Sequence, residues 1–264
     1  MKNYHLYKEN DETMNNYNAL INNLETLELN KIKENLDQYL DMIADGTKTA
    51  VDAFYELSEL EIKFRNEEAI TGCVKVANFP FLKEINEFDF SFQPSIDKNK
   101  IMDLMTLRFL DNNENIIFCG TPGVGKTNLS VSIGIAAAKH RYSVYFISFQ
   151  DLIAQLKKAS LENRLDTRIK WFCRYKLLII DELGYQRMDV DSANLFFNLI
   201  AKRYEKSSTI VTTNSPFSKW ADIFQEPVLT NALLDRLLHH SSVININGPS
   251  YRMKDQLQYL SEEA

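Results

Sequence analysis

Apolar residues near the start of the chain recur every three or four positions, which is the period of an amphipathic helix. Between residues 15 and 70 there is no proline and one glycine. The recurring apolar residues are Leu20, Leu24, Leu27, Ile32, Leu36, Tyr39, Leu40, Ile43, Phe54, Leu57, Leu60 and Phe64. Gly46 and Thr47 interrupt the period, which predicts one break between two helical stretches. We therefore expect residues 1–75 to form a small all-helical domain that serves partner contact or oligomerisation.

The rest of the chain alternates β-rich runs with helical segments. An irregular linker begins near residue 76 and leads to a predicted helix over residues 98–109. Five β-rich or apolar runs then follow, at residues 115–119, 143–148, 177–180, 208–213 and 243–246. Helical segments at 128–139, 150–158 and 193–204 lie between consecutive runs. This alternation predicts an α/β domain over residues 76–264, with a parallel five-stranded sheet covered by helices on both faces.

A glycine-rich loop lies between the first β-rich run and the helix that follows it. Its sequence, Gly120-Thr121-Pro122-Gly123-Val124-Gly125-Lys126-Thr127, fits the phosphate-binding pattern G-x-x-x-x-G-K-[ST] at every defined position. The backbone N–H groups of such a loop and the following helix N-terminus bind phosphate oxygens, and we include Asn128 among the nucleotide-binding residues. Lys126 is expected to reach the β- and γ-phosphates, and Thr127 to ligate Mg²⁺. A chance glycine turn is the alternative.

Two further β-rich runs end in polar residues. Residues 177–180 are fully apolar and are followed by Asp181 and Glu182, the pattern of a Walker B strand. Asp181 is predicted to hold Mg²⁺ and Glu182 to polarise the attacking water. Asn214, after the run at 208–213, is predicted to orient that water or contact the γ-phosphate, although an asparagine there also suits a simple turn.

A helical segment near residue 236 carries one arginine among apolar residues. Arg236 is a candidate arginine finger that acts on the nucleotide of a neighbouring subunit, and an intramolecular pair with an acid such as Asp235 is the alternative. His239 and His240 follow it. Since adjacent residues point to different sides of a helix, we expect these histidines to be surface or interface residues rather than metal ligands.

Charge and composition exclude several classes of protein. The net charge is −6 and the pI is about 5.4, so any DNA contact must be local. One basic stretch offers such a contact, with a solvated helical face as the alternative; its residues are Lys157, Lys158, Arg164, Arg168, Lys170 and Arg174. The three cysteines are far apart and suggest neither disulfides nor zinc. No apolar run has the length of a membrane span or a signal peptide, so we expect a cytoplasmic protein without membrane contact.

The order of these motifs resembles the IstB-like ATPases, which are helpers of DNA transposition in the AAA+ superfamily and are related to the DnaC and DnaI helicase loaders. The resemblance covers most of the chain, including the helical N-terminal region. Besides the phosphate loop and Walker B strand, the segments that carry it are residues 88–90 (Phe-Asp-Phe), 213–214 (Thr-Asn), 235–240 (Asp-Arg-Leu-Leu-His-His) and 248–252 (Gly-Pro-Ser-Tyr-Arg).

The resemblance implies ATP and Mg²⁺ as cofactors and supports the roles assigned above, with Arg252 as a further phosphate sensor. It also implies nucleotide-dependent homo-oligomers on duplex DNA, ATP sites at subunit interfaces, and a transposase partner. Two residues depart from the family pattern, which often has Asp at Glu182 and Ser at Thr213. Glutamate is the better-known base in AAA+ proteins, so the first departure does not weaken the expectation of ATP hydrolysis.

The leading hypothesis is an ATPase that assembles on target DNA, stimulates the transposase of an insertion sequence and disassembles on hydrolysis. A loader of a replicative helicase is the alternative within the same superfamily. A GTPase would need Asn-Lys-x-Asp after the Walker B strand, and Asn30-Lys31 lies upstream without the aspartate. A small-molecule kinase would carry an arginine-rich lid, which we do not find. A DNA clamp that binds ATP without hydrolysis is a further alternative.

Overall fold

We describe the protein from a computed structural model, over residues 11–184 and 187–254. The chain divides into two compact units, and the division falls between Ala69 and Ile70. It lies within a single helix, whereas the sequence places the boundary after residue 75; the limits 1–75 and 76–264 stay a prediction. None of the helices in the described residues has the length and apolar character needed to cross a membrane.

In the described part of the N-terminal unit the helices are α1 (Asp11–Thr26), α2 (Asn30–Ala44) and most of α3 (Ala50–Val76), which continues past Ala69. The predicted break at Gly46 is present between α2 and α3. A second break, between α1 and α2, was not predicted, because Glu28 ends α1 with a left-handed backbone (φ 56°) and no glycine marks the turn. The buried core of the unit consists of Leu24, Ile32, Leu36 and Leu57.

A buried carboxylate links two helices of this unit. Glu61 on α3 is 4% exposed, and its Oε2 accepts the backbone N–H groups of Lys31 (2.8 Å) and Ile32 (3.3 Å) in the first turn of α2. Arg65 donates to the other oxygen at 3.1 Å. The carboxylate therefore satisfies helix-end donors that lack an intrahelical partner and fixes α2 against α3.

The C-terminal unit is built on a five-stranded sheet, as predicted. Its strands are β1 (Asn115–Gly120), β2 (Val144–Ser148), β3 (Leu177–Leu183), β4 (Ser208–Thr213) and β5 (Ser241–Ile246). All neighbouring strands are parallel, in the order β2-β3-β4-β1-β5. Because all strands are parallel, their carboxyl ends lie along the same edge of the sheet. The strand order places β3, β4 and β1 side by side there.

Helices cover both faces of the sheet. They are α4 (Lys98–Leu104), α5 (Arg108–Asp111), α6 (Lys126–Lys139), α7 (Phe149–Leu161), α8 (Leu165–Cys173), α9 (Val190–Arg203), α10 (Trp220–Phe224) and α11 (Pro227–Leu238). Alternate residues of β1 enter two separate cores, Ile116 beside α4–α6 and Ile117 beside α7–α11. The single helix expected over 98–109 is wrong: Leu107 adopts φ 65° and separates α4 from α5.

One buried arginine joins a helix to the sheet. Arg203, at the end of α9, is 1% exposed and donates from Nη1 to the carbonyls of Phe172 (2.9 Å) and Tyr175 (3.0 Å). Its Nη2 and Nε donate to the Ser208 carbonyl (2.5 Å) and the Thr209 hydroxyl (3.1 Å). Burial lowers the pKa of Arg203 to about 10, so the side chain stays charged at neutral pH. It fixes the end of α8 to the start of β4.

Candidate functional site

A cavity of about 440 Å³ opens at the carboxyl edge of the sheet, where β1, β3 and β4 end. Most of the residues predicted to bind nucleotide or metal line it. These are Pro122, Gly123, Val124, Gly125, Lys126, Thr127, Asn128, Asp181, Glu182, Asn214 and Arg252. Gly120 does not line the cavity, but its carbonyl accepts a hydrogen bond from Lys126. Arg236 is not among the residues that line the cavity.

The loop between β1 and α6 is enclosed on two sides. Gly123 (φ 82°) has no room for a side chain, because a Cβ there would lie 2.0 Å from Oγ of Ser250. A Cβ on Gly125 (φ 99°) would lie 2.7 Å from the Phe88 ring. The carbonyl of Gly123 also accepts the backbone N–H of Tyr251 at 2.9 Å. The glycines therefore allow a tight loop that leads directly into the N-terminus of α6, where N–H groups attract anions.

Lys126 is held against the backbone of its own loop. Its Nζ donates to the carbonyls of Gly120 and Thr121, both at 2.8 Å. Burial lowers the pKa of Lys126, and the nearby carboxylate of Asp181 opposes this effect. A partly buried ammonium group beside a ring of N–H donors is suited to bind phosphate oxygens.

Asp181 is the centre of the hydrogen bonds between the loop and the sheet. Its side chain is only 7% exposed, and Oγ1 of Thr127 lies 3.0 and 3.1 Å from its two oxygens. Thr212 on β4 donates to Oδ1 at 2.6 Å. Burial raises the pKa of Asp181, while the hydrogen bonds from Thr212 and Thr127 lower it. A hydroxyl and a carboxylate placed side by side offer the hard oxygen ligands that Mg²⁺ prefers, so the residues fit this ion.

Glu182 and Asn214 line the cavity beside Asp181. The side chain of Glu182 is exposed, and its backbone has a left-handed conformation (φ 65°). The backbone N–H of Glu182 donates to Oγ1 of Thr212 at 2.9 Å. The register of β3 against β4 shifts at this point, so Glu182 leaves the regular strand pairing. Asn214 directly follows β4, and its side-chain oxygen accepts from the Ser215 hydroxyl at 3.3 Å.

Two segments from distant parts of the chain meet at the mouth of the cavity. Gln93 Nε2 donates to the Pro249 carbonyl at 2.7 Å, and Lys254 pairs with Asp89 at 2.7 Å. Hydrogen bonds from Lys254 and Ser91 hold the pKa of Asp89 well below its usual range. These contacts fix the segment that carries Arg252 beside the linker.

Several residues at this site were not predicted from the sequence, and three of them make hydrogen bonds that shape it. They are Thr212, Gln93 and Lys254. Thr212 lies within a β-rich run whose neighbours are also threonine or valine, and no motif distinguishes it. Phe88 belongs to a segment noted for its resemblance, but its packing against Gly125 is visible only in the structure.

Arg236 lies on α11, away from the cavity. Its Nη1 donates to the Ala232 carbonyl at 2.8 Å, and its guanidinium lies 4.9 Å from the centre of the Phe197 ring. The side chain is half-buried. These contacts within its own chain leave the proposed action on a neighbouring subunit as a prediction.

The six basic residues predicted to contact DNA lie on and around α7 and α8. A cleft of about 350 Å³ between these helices is lined by Lys158, Arg164 and Arg168, together with Trp171. The guanidinium of Arg168 lies 4.3 Å from the Trp171 ring centre. The other three basic residues do not line the cleft. Lys157 pairs with Asp189, Lys170 is exposed on α8, and the guanidinium of Arg174 lies over the Trp171 ring.

Comparison with known proteins settles the family. Residues 22–259 match the sequence pattern that describes the IstB-like ATP binding protein. This chain belongs to the IstB-like family. A relative from Bacillus thuringiensis subsp. berliner, named as an ATP-binding protein of insertion sequence IS232, is 51% identical over 241 residues, which cover 91% of this chain and 96% of the relative.

A second relative of the IstB-like chain comes from Geobacillus stearothermophilus. It is named as an ATP-binding protein of insertion sequence IS5376, and it is 43% identical over 76% of this chain and 80% of its own length. Among solved structures, DnaI matches with a TM-score of 0.53 and 20% identity, over 62% of this chain and 90% of DnaI. The α/β fold expected from the sequence, a parallel five-stranded sheet with the phosphate loop between β1 and α6, is confirmed.

Proposed function

We propose that this protein is a Mg²⁺-dependent ATPase of an insertion sequence that assembles on duplex DNA and stimulates the transposase of the same element. One observation carries the ATPase part: Thr127 of the phosphate loop is hydrogen-bonded to Asp181 of β3 inside the cavity that Glu182 and Asn214 also line. This is the arrangement expected of residues that bind a nucleoside triphosphate and activate water beside it.

Each residue has a distinct task in this proposal. The loop N–H groups and Lys126 bind the phosphates, and Thr127 with Asp181 would hold Mg²⁺, which neutralises phosphate charge. Glu182 accepts a proton from the attacking water, and Asn214 orients that water. The exposed side chain of Glu182 is free to approach the water, because its backbone alone is bonded to Thr212. Arg252 would contact a phosphate from the opposite wall of the cavity.

The second part of the proposal concerns assembly. Arg236 lies outside the cavity of its own chain, so we propose that it completes the site of a neighbouring subunit in a homo-oligomer. The names of the two relatives refer to insertion sequences, and this supports a transposase as the partner over a replicative helicase. Hydrolysis would then take the assembly apart.

The test is ATP turnover by the full chain with and without duplex DNA, together with strand transfer by the transposase of the same element. We expect DNA to increase turnover. Glu182→Gln should bind ATP, assemble on DNA and fail to disassemble. Turnover that ignores DNA, or strand transfer that does not respond to this protein, would contradict the proposal. Stimulated loading of a helicase in place of strand transfer would favour the alternative partner, and normal function of Glu182→Gln would favour a clamp without hydrolysis.

The DNA contact has its own test, because it rests on the cleft between α7 and α8. Replacing Lys158, Arg164 and Lys170 by alanine should weaken duplex binding and lower the slope of log affinity against log salt by about 1 for each phosphate that is no longer neutralised. Alanine at Lys206 and Lys219, which are exposed but outside the basic stretch, is the matched control. Equal slopes for the two sets would place the DNA elsewhere on the protein.

A further inference from the structure

Three side chains with metal-ligating atoms meet at the amino edge of the sheet, on the side opposite the nucleotide cavity. Glu205 precedes β4, and His239 and His240 lie directly before β5. One ligand atom from each residue lies within 4.8 Å of the other two. Oε1 of Glu205 is 4.0 Å from Nδ1 of His239 and 3.8 Å from Nε2 of His240.

The side chains of His239 and His240 lie close together just after the end of α11. Helix α11 stops at Leu238, and the ring centres of His239 and His240 are 4.0 Å apart. Both side chains are exposed, as expected for surface residues, but their rings lie side by side rather than on different sides of the helix. His239 still has helical backbone angles (φ −53°, ψ −47°) and donates its N–H to the Asp235 carbonyl, and the chain turns toward β5 after it.

The backbone on both sides of the cluster is anchored to the start of β1 and the residues just before it. The carbonyl of His240 accepts the N–H of Asn115 at 2.7 Å. The carbonyl of Glu205 accepts Nδ2 of Asn113 at 3.1 Å. Two nearby residues thus fix the backbone of Glu205 and His240, so a ligand has to order only the side chains.

We propose that Glu205, His239 and His240 bind a divalent transition-metal ion, with Zn²⁺ as the ion to test. Two imidazole nitrogens and one carboxylate oxygen are a ligand set that Zn²⁺ accepts, and three protein ligands leave a fourth position open. Bonds of 2.0–2.1 Å in a tetrahedral site place ligand atoms roughly 3.4 Å apart. The two separations from Glu205, 3.8 and 4.0 Å, exceed this by about 0.4 and 0.6 Å, and the third pair of ligand atoms lies within 4.8 Å, which rotation of exposed side chains can close.

One hydrogen bond competes with the ion. The Tyr204 hydroxyl lies 2.7 Å from Nδ1 of His239. In one arrangement, Nδ1 of His239 gives up its hydrogen bond to Tyr204 and binds the metal. In the other, Nε2 of His239 binds the metal and Nδ1 keeps its hydrogen bond to the Tyr204 hydroxyl. Neither arrangement involves the phosphate loop, and zinc binding is measured without nucleotide turnover, although the cluster lies at the end of the helix that carries Arg236.

The experiment is a calorimetric titration of the full chain with ZnCl₂ in millimolar MgCl₂, which occupies sites formed only by oxygen. We expect one Zn²⁺ per chain and a higher midpoint of thermal unfolding when zinc is present. Glu205→Gln and His240→Gln should each weaken zinc binding at least about tenfold. His140→Gln is the matched control, since His140 is also exposed but bonded to the Ala136 carbonyl outside the cluster.

Co²⁺ provides a second readout, because a thiolate ligand gives it a strong charge-transfer absorption. We expect a spectrum of nitrogen and oxygen ligands without that band. The proposal is overturned if the wild type binds no zinc, if Glu205→Gln and His240→Gln bind it as tightly as His140→Gln does, or if the thiolate band appears. All three variants change exposed side chains, and thermal unfolding in the absence of zinc checks that they remain folded.

Discussion

Thr212 and Asp181 are joined across neighbouring strands by a 2.6 Å hydrogen bond, in which the threonine hydroxyl donates to Oδ1 of the carboxylate. The oxygen of the same hydroxyl accepts the backbone N–H of Glu182 at 2.9 Å. One side chain on β4 thus fixes both residues at the end of β3. Thr212 touches the two acidic residues without being one of the motif positions, so we regard it as a positioning residue.

Thr212→Val tests this role, because valine keeps the shape of threonine and removes the hydroxyl. We expect turnover of ATP to fall about tenfold, the equivalent of about 1.4 kcal/mol in the barrier. The affinity for ATP should change little. The control is Thr213→Val, which removes a buried hydroxyl from the same strand that contacts only Ser215. If both variants lose the same turnover, the cause is general weakening of β4 and not the missing hydrogen bond to Asp181.

Asp181 should destabilise the nucleotide-free protein at neutral pH. Burial raises its pKa above the value in the unfolded chain, so the folded state favours the protonated form. This contribution is favourable at low pH and is lost as the pH rises through the folded pKa. We therefore expect Asp181→Asn to raise the midpoint of thermal unfolding by a few degrees at pH 7 and by less near pH 4.

The same variant should not hydrolyse ATP, which makes Asp181 a residue that lowers stability for the sake of function. Thermal unfolding at several pH values, without nucleotide or divalent ions, measures the effect. Glu182→Gln serves as the comparison, since it removes an exposed carboxylate and should leave the midpoint unchanged at each pH. A midpoint for Asp181→Asn below that of the wild type at pH 7 contradicts the prediction.

Gly123→Ala should destabilise the protein and abolish nucleotide binding, because its Cβ would lie 2.0 Å from Oγ of Ser250. Gly46→Ala is a matched control: φ is 77°, yet no atom lies within 4 Å of the added Cβ. We expect Gly46→Ala to cost about 1–2 kcal/mol, the backbone term alone, and Gly123→Ala to cost more. Urea unfolding and binding of a fluorescent ATP analogue measure the two effects.

Adding Ser250→Gly to Gly123→Ala separates the two contributions. The second change removes the clashing side chain but leaves the strained backbone. We expect it to recover the part of the stability loss that exceeds that of Gly46→Ala. No recovery in the double variant would show that contact with Ser250 is not the cause.

Mixing two inactive variants tests whether the site is shared between subunits. Arg236→Ala retains its phosphate loop, and Lys126→Ala retains the arginine. Each alone should lose turnover by about 10³-fold or more, yet a mixture should regain activity because some interfaces pair an intact loop with an intact arginine. Binding of ATP by Arg236→Ala should persist. A mixture no more active than its components would argue that Arg236 does not act on a neighbour.

Local patterns of the sequence were sufficient for much of the fold and for the motif residues of the site. The apolar run of β3 and the glycines before α6 have strong local signals, and both predictions are confirmed as elements of the structure. The breaks at Glu28 and Leu107 were missed because a left-handed backbone at a non-glycine residue leaves no mark in the apolar period. Long-range pairing hid Thr212 and Gln93, whose partners lie 31 and 156 residues away.

The basic stretch shows a similar limit. The positive charges were evident from the sequence, but helix α8 was not predicted. The cleft beside Trp171 lies between α7 and α8, so it could not be predicted either. The roles of the six basic residues remain predictions. The convergence of His239 and His240 also depends on where α11 ends, and helix ends are poorly fixed by the apolar period alone.

The buried guanidinium of Arg203 joins helix α8, which carries Arg168 and Lys170, directly to strand β4. It holds the last turn of α8 and the first residues of β4, and the other end of β4 carries Thr212 and leads to Asn214. Helix α8 cannot tilt without either moving this strand or breaking buried hydrogen bonds, which is costly. A movement of α8 would therefore be coupled, through these buried hydrogen bonds, to the strand that precedes Asn214.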